Sequence, residues 1–511
     1  MPLTRRLSLF ALLLGAALPL AAQNLAEFEK TVTQHKLANG MTFLIVERHQ
    51  VPTVSFHLYA DVGSVDEETG RTGLAHVFEH MAFKGTSTIG TKNYALEKIA
   101  LAKVDRAYSA LQQERWKGKQ ADPKRLEQLE AAFQQAQEEA QKFVVPSEFD
   151  EAIETNGGVG LNATTTNDST EYFFSLPSNK LELWFSLESA RFLDPVLREF
   201  YKERDVVMEE RRMRIESQPI GNLIEQFLAL AYVAHPYGRS GIGWRSDLEN
   251  LTRKHAEDFF RRYYTPRRLT AVIVGDVNPK EVIRLAQLYF GRIPAGPRTE
   301  PMWTAEPPQP GERRAVIRAE FQPVLVIGYH KPSINDPDNA VFDAVQNILA
   351  GGRTSRLYRS LVQEKKLAVA AGGFPGFPGE KYPNLFVFFS IAAAEKTNEE
   401  NEKVMLEEIE KLRQELVSEE ELERVKQQAR ADLIRRLSSN SGLASELASY
   451  QVLTGDWRNL FRELEAINKV TREDVQRVAR TYFTTSNRTV AYLVPESGGE
   501  EPPAEPQEKK Q

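Results

Sequence analysis

Apolar residues along this chain recur with two different periods, and the change from one to the other marks its elements. From Thr31 to Ala60 apolar and polar residues alternate around the turn Asn39-Gly40, so Thr42 to Val46 reads as one strand and Val54 to Ala60 as the next. After Arg71-Thr72-Gly73 the period lengthens to that of a helix, with Leu74, Val77, Phe78 and Met81 on one side. The stretch from about 95 to 150 is rich in Gln, Glu, Lys and Ala, with Leu126, Leu129, Phe133, Ala136, Ala140 and Phe143 at helical spacing. Gly118 and Asp122-Pro123 interrupt it once, which predicts an αα-hairpin inserted after the helix of residues 74–81. Its many charges read as a solvated face.

Further on, the glycines of 156–160 lead through Leu161-Asn162-Ala163-Thr164-Thr165 into a strand at 171–177. Two helices are expected next, one over Lys180–Phe192 and one opening near Glu199, passing through Glu210 toward Ser217 and ended by Pro219. An internal echo follows. Leu251-Thr252-Arg253, Arg261, Tyr263-Tyr264-Thr265 and Thr270 recur without gaps 219 residues later as Val470-Thr471-Arg472, Arg480, Tyr482-Phe483-Thr484 and Thr489. In both copies a helix feeds a short turn and then a strand, which predicts two related halves. A Pro-rich linker, 295–315, would divide residues 23–294 from 316–495, and the polar tail 496–511 is expected to be disordered.

Composition narrows the class. With 511 residues, 41% hydrophobic and 27% charged, the chain can bury more than one core. Its net charge of -6 argues against nucleic acid or an anionic membrane as the main partner. Arg5-Arg6, the apolar run Leu7–Leu20 and Ala21-Ala22 have the layout of a signal peptide, residues 1–22, cleaved near Ala22-Gln23. That predicts export to periplasm or medium without stable membrane insertion, the alternative being an uncleaved anchor. With no Cys in the chain, any zinc must be held by His and carboxylates, and there are only eight His.

Two of those His stand in the run His76-Val77-Phe78-Glu79-His80. Positions four apart share a helix face, so His76 and His80 can aim at one ion while Glu79 stands beside them. A hydrolytic zinc usually takes three protein ligands and leaves one position for water. The competing reading, two surface His beside an acid, predicts no particular neighbours, whereas here the run lies inside Gly73-Leu74-Ala75 and Met81-Ala82-Phe83-Lys84-Gly85-Thr86.

These residues, with Leu37-Ala38-Asn39-Gly40, Gly63-Ser64, Asn162-Ala163-Thr164-Thr165 and Glu203-Arg204-Asp205-Val206-Val207-Met208-Glu209-Glu210, resemble the pitrilysin/insulinase family of zinc peptidases, close to its bacterial and mitochondrial-processing-peptidase branch. The resemblance implies an α+β fold of two homologous α/β domains, each a mostly antiparallel sheet flanked by helices, facing each other around a chamber. It implies Zn2+ on His76, His80 and Glu210, Glu79 as general base toward a zinc-bound water, and Glu203 as a supporting acid behind the ligands. Glu203 and Glu210 are seven apart and so share a helix face, while Glu209, the competing third ligand, points about 100° away. Peptide would add to a sheet edge at Asn162, Ala163 and Thr164, although Asn162 alone could also simply hold a turn.

Two departures stand out. His80 and Glu210 are 130 positions apart, more than the family's usual spacing, which the hairpin insertion accounts for at small loop-closure cost. Single-chain relatives carry an Arg and a Tyr in the second domain for substrate and oxyanion, where Leu361–Val369 here has Val362 and Val369. The expectation is therefore a zinc endopeptidase acting on peptides or unfolded polypeptides, working with a homologous subunit, as a homo- or heterodimer, that supplies the missing pair. The alternative is a catalytically weak peptide-binding or scaffold subunit.

Overall fold

The computed structural model describes residues 28–496, so the expected leader and nearly all of the tail lie outside the described residues. The first sheet has six strands, β1 (Val32–Lys36), β2 (Thr42–Glu47), β3 (Thr53–Ala60), β4 (Val159–Thr165), β5 (Thr170–Pro177) and β6 (Leu269–Gly275), in the order β1-β2-β6-β3-β5-β4. The second has five, β7 (Arg313–Arg318), β8 (Val324–Lys331), β9 (Ala368–Phe377), β10 (Asn384–Ala392) and β11 (Arg488–Val494), in the order β7-β11-β8-β10-β9. In each sheet one pair is parallel, β2 with β6 and β7 with β11, and the others are antiparallel. Removing β1 makes the two orders equivalent.

The duplication extends to the helix caps. Thr252 caps the helix Arg253–Tyr263 by accepting from His255 N, and Thr471 caps the helix Arg472–Tyr482 by accepting from Asp474 N. Both helices and the strands they feed, β6 and β11, are offset by the 219 positions of the sequence echo.

The helices that build the site are α1 (Leu74–Met81), α2 (Tyr94–Arg115), α3 (Pro123–Gln141), α4 (Glu148–Glu154), α5 (Leu181–Leu193), α6 (Phe200–Arg211) and α7 (Pro219–Ala231). In the second half, α8 (Asn339–Leu349) follows β8, and α9 (Glu419–Arg436) and α10 (Asn440–Thr454) come later. α2 and α3 form the expected hairpin, with Asp122 capping α3 through Lys124 N and Pro123 in its first turn. The hairpin is docked rather than free. Tyr108 stacks with Phe133 and Tyr201, Tyr108 Oη donates to the carbonyl of Glu249 at 2.7 Å, and Arg204 on α6 donates to Tyr108 Oη at 2.6 Å.

One expectation needs correction. α6 ends at Arg211 and passes into a wider π-helical turn, Arg212–Glu216, and Pro219 does not merely end it but begins a further helix, α7. Proline's fixed φ and missing N–H suit the first turn of a helix as well as they stop one.

α7 explains why so many strand residues are buried on both faces. It leaves its own half and lays Leu223, Phe227, Leu228 and Ala231 on Val324, Val326, Leu385, Val387, Ala491 and Leu493 of the second sheet. A Cβ at Gly328 would lie 2.6 Å from Phe227 Cζ, so glycine there lets the ring reach the strand. In return α10 lays Leu443, Leu447 and Ala448 on Leu44, Val46, Val272 and Val274 of the first sheet. The alternating polar residues of β3 are thereby enclosed, and His57 sits between Glu171, which pairs with its Nδ1, and Ser441 Oγ of α10, 2.9 Å from its Nε2. Among the described residues no helix is long and apolar enough to cross a membrane.

Candidate metal centre

α1 buries Leu74, Ala75, Val77, Phe78 and Met81 in the first core, which leaves His76, Glu79 and His80 half-buried on its other face. Its start is fixed by a buried carboxylate, since Glu67 accepts from Gly73 N at 2.9 Å and Ala75 N at 2.8 Å. Gly73 has φ 89°, and a Cβ on Gly243 would come within 2.5 Å of its nitrogen, so two glycines meet backbone to backbone at the head of the helix.

α6 crosses this face. His76 Nε2 lies 3.6 Å from Glu210 Oε2 and His80 Nε2 lies 3.6 Å from Glu210 Oε1, and donor atoms of the three residues all lie within 4.8 Å of one another. Donors on one zinc at ~2.1 Å in tetrahedral geometry are ~3.4 Å apart, so this spacing suits the ion. Glu210 Oε2 is buried and, among the described residues, has no hydrogen-bond partner, with the largely exposed Arg214 guanidinium 3.4 Å away, so it keeps acceptor capacity for a cation. The donor set, two imidazoles and a carboxylate, is one that zinc takes in hydrolytic sites.

Glu203, two turns back on α6, places Oε2 3.5 Å from His80 Nδ1 and Oε1 2.6 Å from Lys84 Nζ. Glu209 points elsewhere: it is exposed and pairs with Arg212 at 2.6 Å, so the geometry favours Glu210. Lys84 had only a weak signal in the sequence, its position four after His80, which puts it toward the same side of the chain. Arg214, 3.4 Å from Glu210 Oε2, went unread although its position four after Glu210 is the ordinary spacing of a helical ion pair.

The electrostatics separate the two imidazoles. Burial, with His80 and Arg214 adding, lowers His76 to about 4 and keeps its nitrogen lone pair free at neutral pH. Burial also works to lower His80, but Glu203, Glu210 and Glu79 outweigh it and raise this group. Burial raises Glu79 against the opposing hydrogen bond of Thr165, toward the range of a working base. Burial opposes the charge on Glu203 too, yet hydrogen bonding to His80 and Lys84 brings it down to about 2.

Asn162, Ala163 and Thr164 lie on β4, which among the described residues pairs only with β5 and forms the edge of its sheet. Ala163 N is taken by Asn162 Oδ1 at 2.9 Å, so Asn162 holds a local turn-like bond on that edge. In the second half, Val362 lies in the π-helical turn Tyr358–Glu364, and Val369 stands exposed on the equivalent edge strand, β9. Glu79, His80, Asn162 and Ala163 all line one cavity of about 500 Å³.

Duplicated α+β halves, with an inverted His-x-x-Glu-His helix crossed by a distant glutamate, define a metallopeptidase-type centre. Residues 42–115 match the family described as Insulinase (Peptidase family M16), and residues 250–429 match the Peptidase M16 inactive domain. The chain is 28% identical over 500 residues to the zinc protease PqqE of Helicobacter pylori, covering 96% of this chain and 97% of that protein. It is 22% identical over 462 residues to the mitochondrial-processing peptidase subunit beta of Saccharomyces cerevisiae, covering 86% of each. The crystal structure of a protease from Helicobacter pylori superposes with a TM-score of 0.76 at 27% identity, over 91% of this chain and 99% of that one. The chain belongs to the pitrilysin/insulinase peptidase family, M16. His76, Glu79 and His80 fall in the Insulinase match, and the stretch matching the inactive domain holds none of them.

Proposed function

We propose that this chain is a zinc-dependent endopeptidase acting on peptides or unfolded polypeptides. The observation that carries the reading is the convergence of His76, His80 and Glu210, with Glu79 beside them at the wall of a peptide-sized cavity. Zinc held by the three donors would supply Lewis-acid polarisation and bring the pKa of water toward ~7. Glu79 accepts the proton of the attacking water and returns it to the departing amine nitrogen. Glu203 holds the Nδ1 side of His80, with Lys84 balancing its charge, and so orients the ring. The open edge of β4 at Asn162, Ala163 and Thr164 supports binding of an extended peptide through main-chain groups other than Ala163 N, which Asn162 Oδ1 takes, and so favours broad selectivity.

Val362 and Val369 support a two-subunit arrangement, in which a homologous chain, identical or different, supplies the missing Arg and Tyr and closes the chamber. A lost oxyanion donor costs about 2.7 to 4 kcal/mol, enough to make the isolated chain slow. The same two valines favour the second reading, a peptide-binding subunit of low activity. The signal-peptide layout of residues 1–22 supports export of a mature chain beginning near residue 23 to the periplasm or the medium.

The test is zinc content and peptide hydrolysis of the purified chain, alone and with a co-purifying homologue. One zinc per chain with hydrolysis that Glu79→Gln abolishes is expected. Zinc bound without hydrolysis in either sample would favour the scaffold reading, and strong hydrolysis by the chain alone would remove the partner.

A further inference from the structure

The helical hairpin inserted between the motif helix and β4 is docked on the helix that carries Glu203 and Glu210, and it leaves a groove there that the catalytic reading does not use. One cavity, of about 500 Å³, lies at Glu79 and His80 and is lined largely by charge, with Lys84, Glu148, Asp150, Glu199, Lys202 and Glu203 in its wall. A second, of about 470 Å³, opens between α2, α3 and the start of α6. Its wall is mixed: Leu101, Val104, Ala140, Val144, Phe200 and Tyr201 give it an apolar surface, and Gln134, Gln137 and the pair Asp105–Arg253 stand among them. Gln141, Val144, Arg198, Glu199 and Lys202 line both. The two spaces are therefore neighbours across a single ridge, one strongly polar at Glu79 and His80 and one more apolar beyond it.

The ridge is built to hold its shape. Arg198 is buried, pairs with buried Glu97 of α2 at 2.7 Å and donates to the carbonyls of Thr86 at 2.6 Å and Ile89 at 3.0 Å. It thus ties the hairpin to the loop that follows the motif helix. Ser147 and Glu199, at the mouth of the polar cavity, take left-handed backbone angles, φ 57° and 58°, that a side chain adopts only when its surroundings compel it. A preformed groove that combines apolar surface with polar side chains and is continuous with a polar site has the character of a ligand cleft.

We propose that the hairpin extends the substrate cleft: a polypeptide lying at Glu79 continues over the ridge at Gln141 and Val144 and places an aliphatic or aromatic side chain in the groove between α2, α3 and α6. This rests on the peptidase reading above and adds to it a distal subsite, made by the inserted segment, that selects longer substrates with an apolar residue to one side of the cut.

The test uses the zinc-loaded full chain and three fluorogenic peptides sharing one cleavable core, namely the core alone and the core extended by four residues on either side with Phe near the far end. One extended peptide is expected to exceed the core in kcat/KM by about tenfold, the scale of one apolar pocket contact. Gln137→Trp, on the groove-facing side of α3, should remove most of that gain, as should Ser in place of the distal Phe. A gain that survives both changes, or no gain from either extension, overturns the subsite. The same labelled peptides are also titrated by fluorescence anisotropy against Glu79→Gln protein. If no peptide is cleaved by the wild-type chain either alone or with a co-purifying homologue, the peptidase reading fails, whereas extension-dependent binding weakened by Gln137→Trp still supports the groove. Equal binding of all three peptides rejects it, and a groove filled by a second copy of the chain would appear as concentration-dependent dimerisation lost in Gln137→Trp.

Discussion

The two halves share a sheet order and a helix cap, yet among the described residues only the first brings together a His-His-Glu group that could hold a metal ion. After β3 the chain enters α1, which presents His76, Glu79 and His80 away from the core. After the equivalent β8 it enters α8, which fills its packing face with Val341, Phe342, Val345, Ile348 and Leu349 and carries Asp343 instead. The carboxylates of the two halves also differ in state. In the first, Glu203 is held near 2 by His80 and Lys84. In the second, burial among acids including Asp343 and Asp168 pushes Glu380 up to about 7. The lesson is that one topology supplies positions, and a handful of side chains decides whether a position does chemistry.

That contrast can be broken at several points. The largest expected effect is on turnover: Glu79→Gln should lower kcat about 10³-fold with zinc content unchanged, while Asp343→Asn should not. Steady-state kinetics with metal analysis checks both, and a comparable loss from Asp343→Asn would mean that the second half takes part in the chemistry.

Next comes the exchange of helices. Phe227→Ala and Leu447→Ala each remove a buried side chain that one half lends to the other and should each cost about 3 kcal/mol. Because each core contains the other's helix, chemical denaturation should give one shared transition for both variants. Two separated transitions would show halves that unfold independently.

Metal affinity gives a smaller, graded effect. Glu210→Gln should weaken zinc binding by about a hundredfold, Glu203→Gln by about tenfold, and exposed Glu209→Gln not at all, as measured by competition with a chromogenic chelator. Equal losses at 209 and 210 would mean that α6 is turned differently from the arrangement described.

The smallest effect lies in the second half. Glu380 has a folded pKa of about 7 against an ordinary 4.5, so the fold binds its proton more tightly than the unfolded chain does. Its contribution is present below about 4.5 and is lost as pH rises through about 7. Glu380→Gln should therefore melt about 2 °C higher than the parent at pH 8 and equally at pH 5. A variant less stable at pH 8 would reverse the assignment.

How much of this was legible beforehand varies with distance along the chain. The pairing of His76 with His80 is a property of one helix, readable because residues four apart share a face. The hairpin was readable from its spacing and from Asp122-Pro123, but its charges do more than meet water: Glu97 is buried against Arg198, and Asp105 pairs with Arg253. α7 was missed because Pro219 serves a helix start and a helix stop equally well. The closed faces of β3 were missed because Ser55, His57 and Tyr59 alternate as residues facing water do.

By itself the amino-acid sequence determined the local periods, the two imidazoles and Glu79 on one helix, the echo between the halves and the absence of thiolate ligands, all of which depend on neighbours within a few turns. Only the tertiary structure decided that Glu210 rather than Glu209 meets the two His, that each half covers the other's sheet, and that the hairpin leaves a groove beside the cavity at Glu79 and His80. Those outcomes depend on how separate elements cross and pack, and contacts between residues a hundred or more positions apart leave no period in the chain to read.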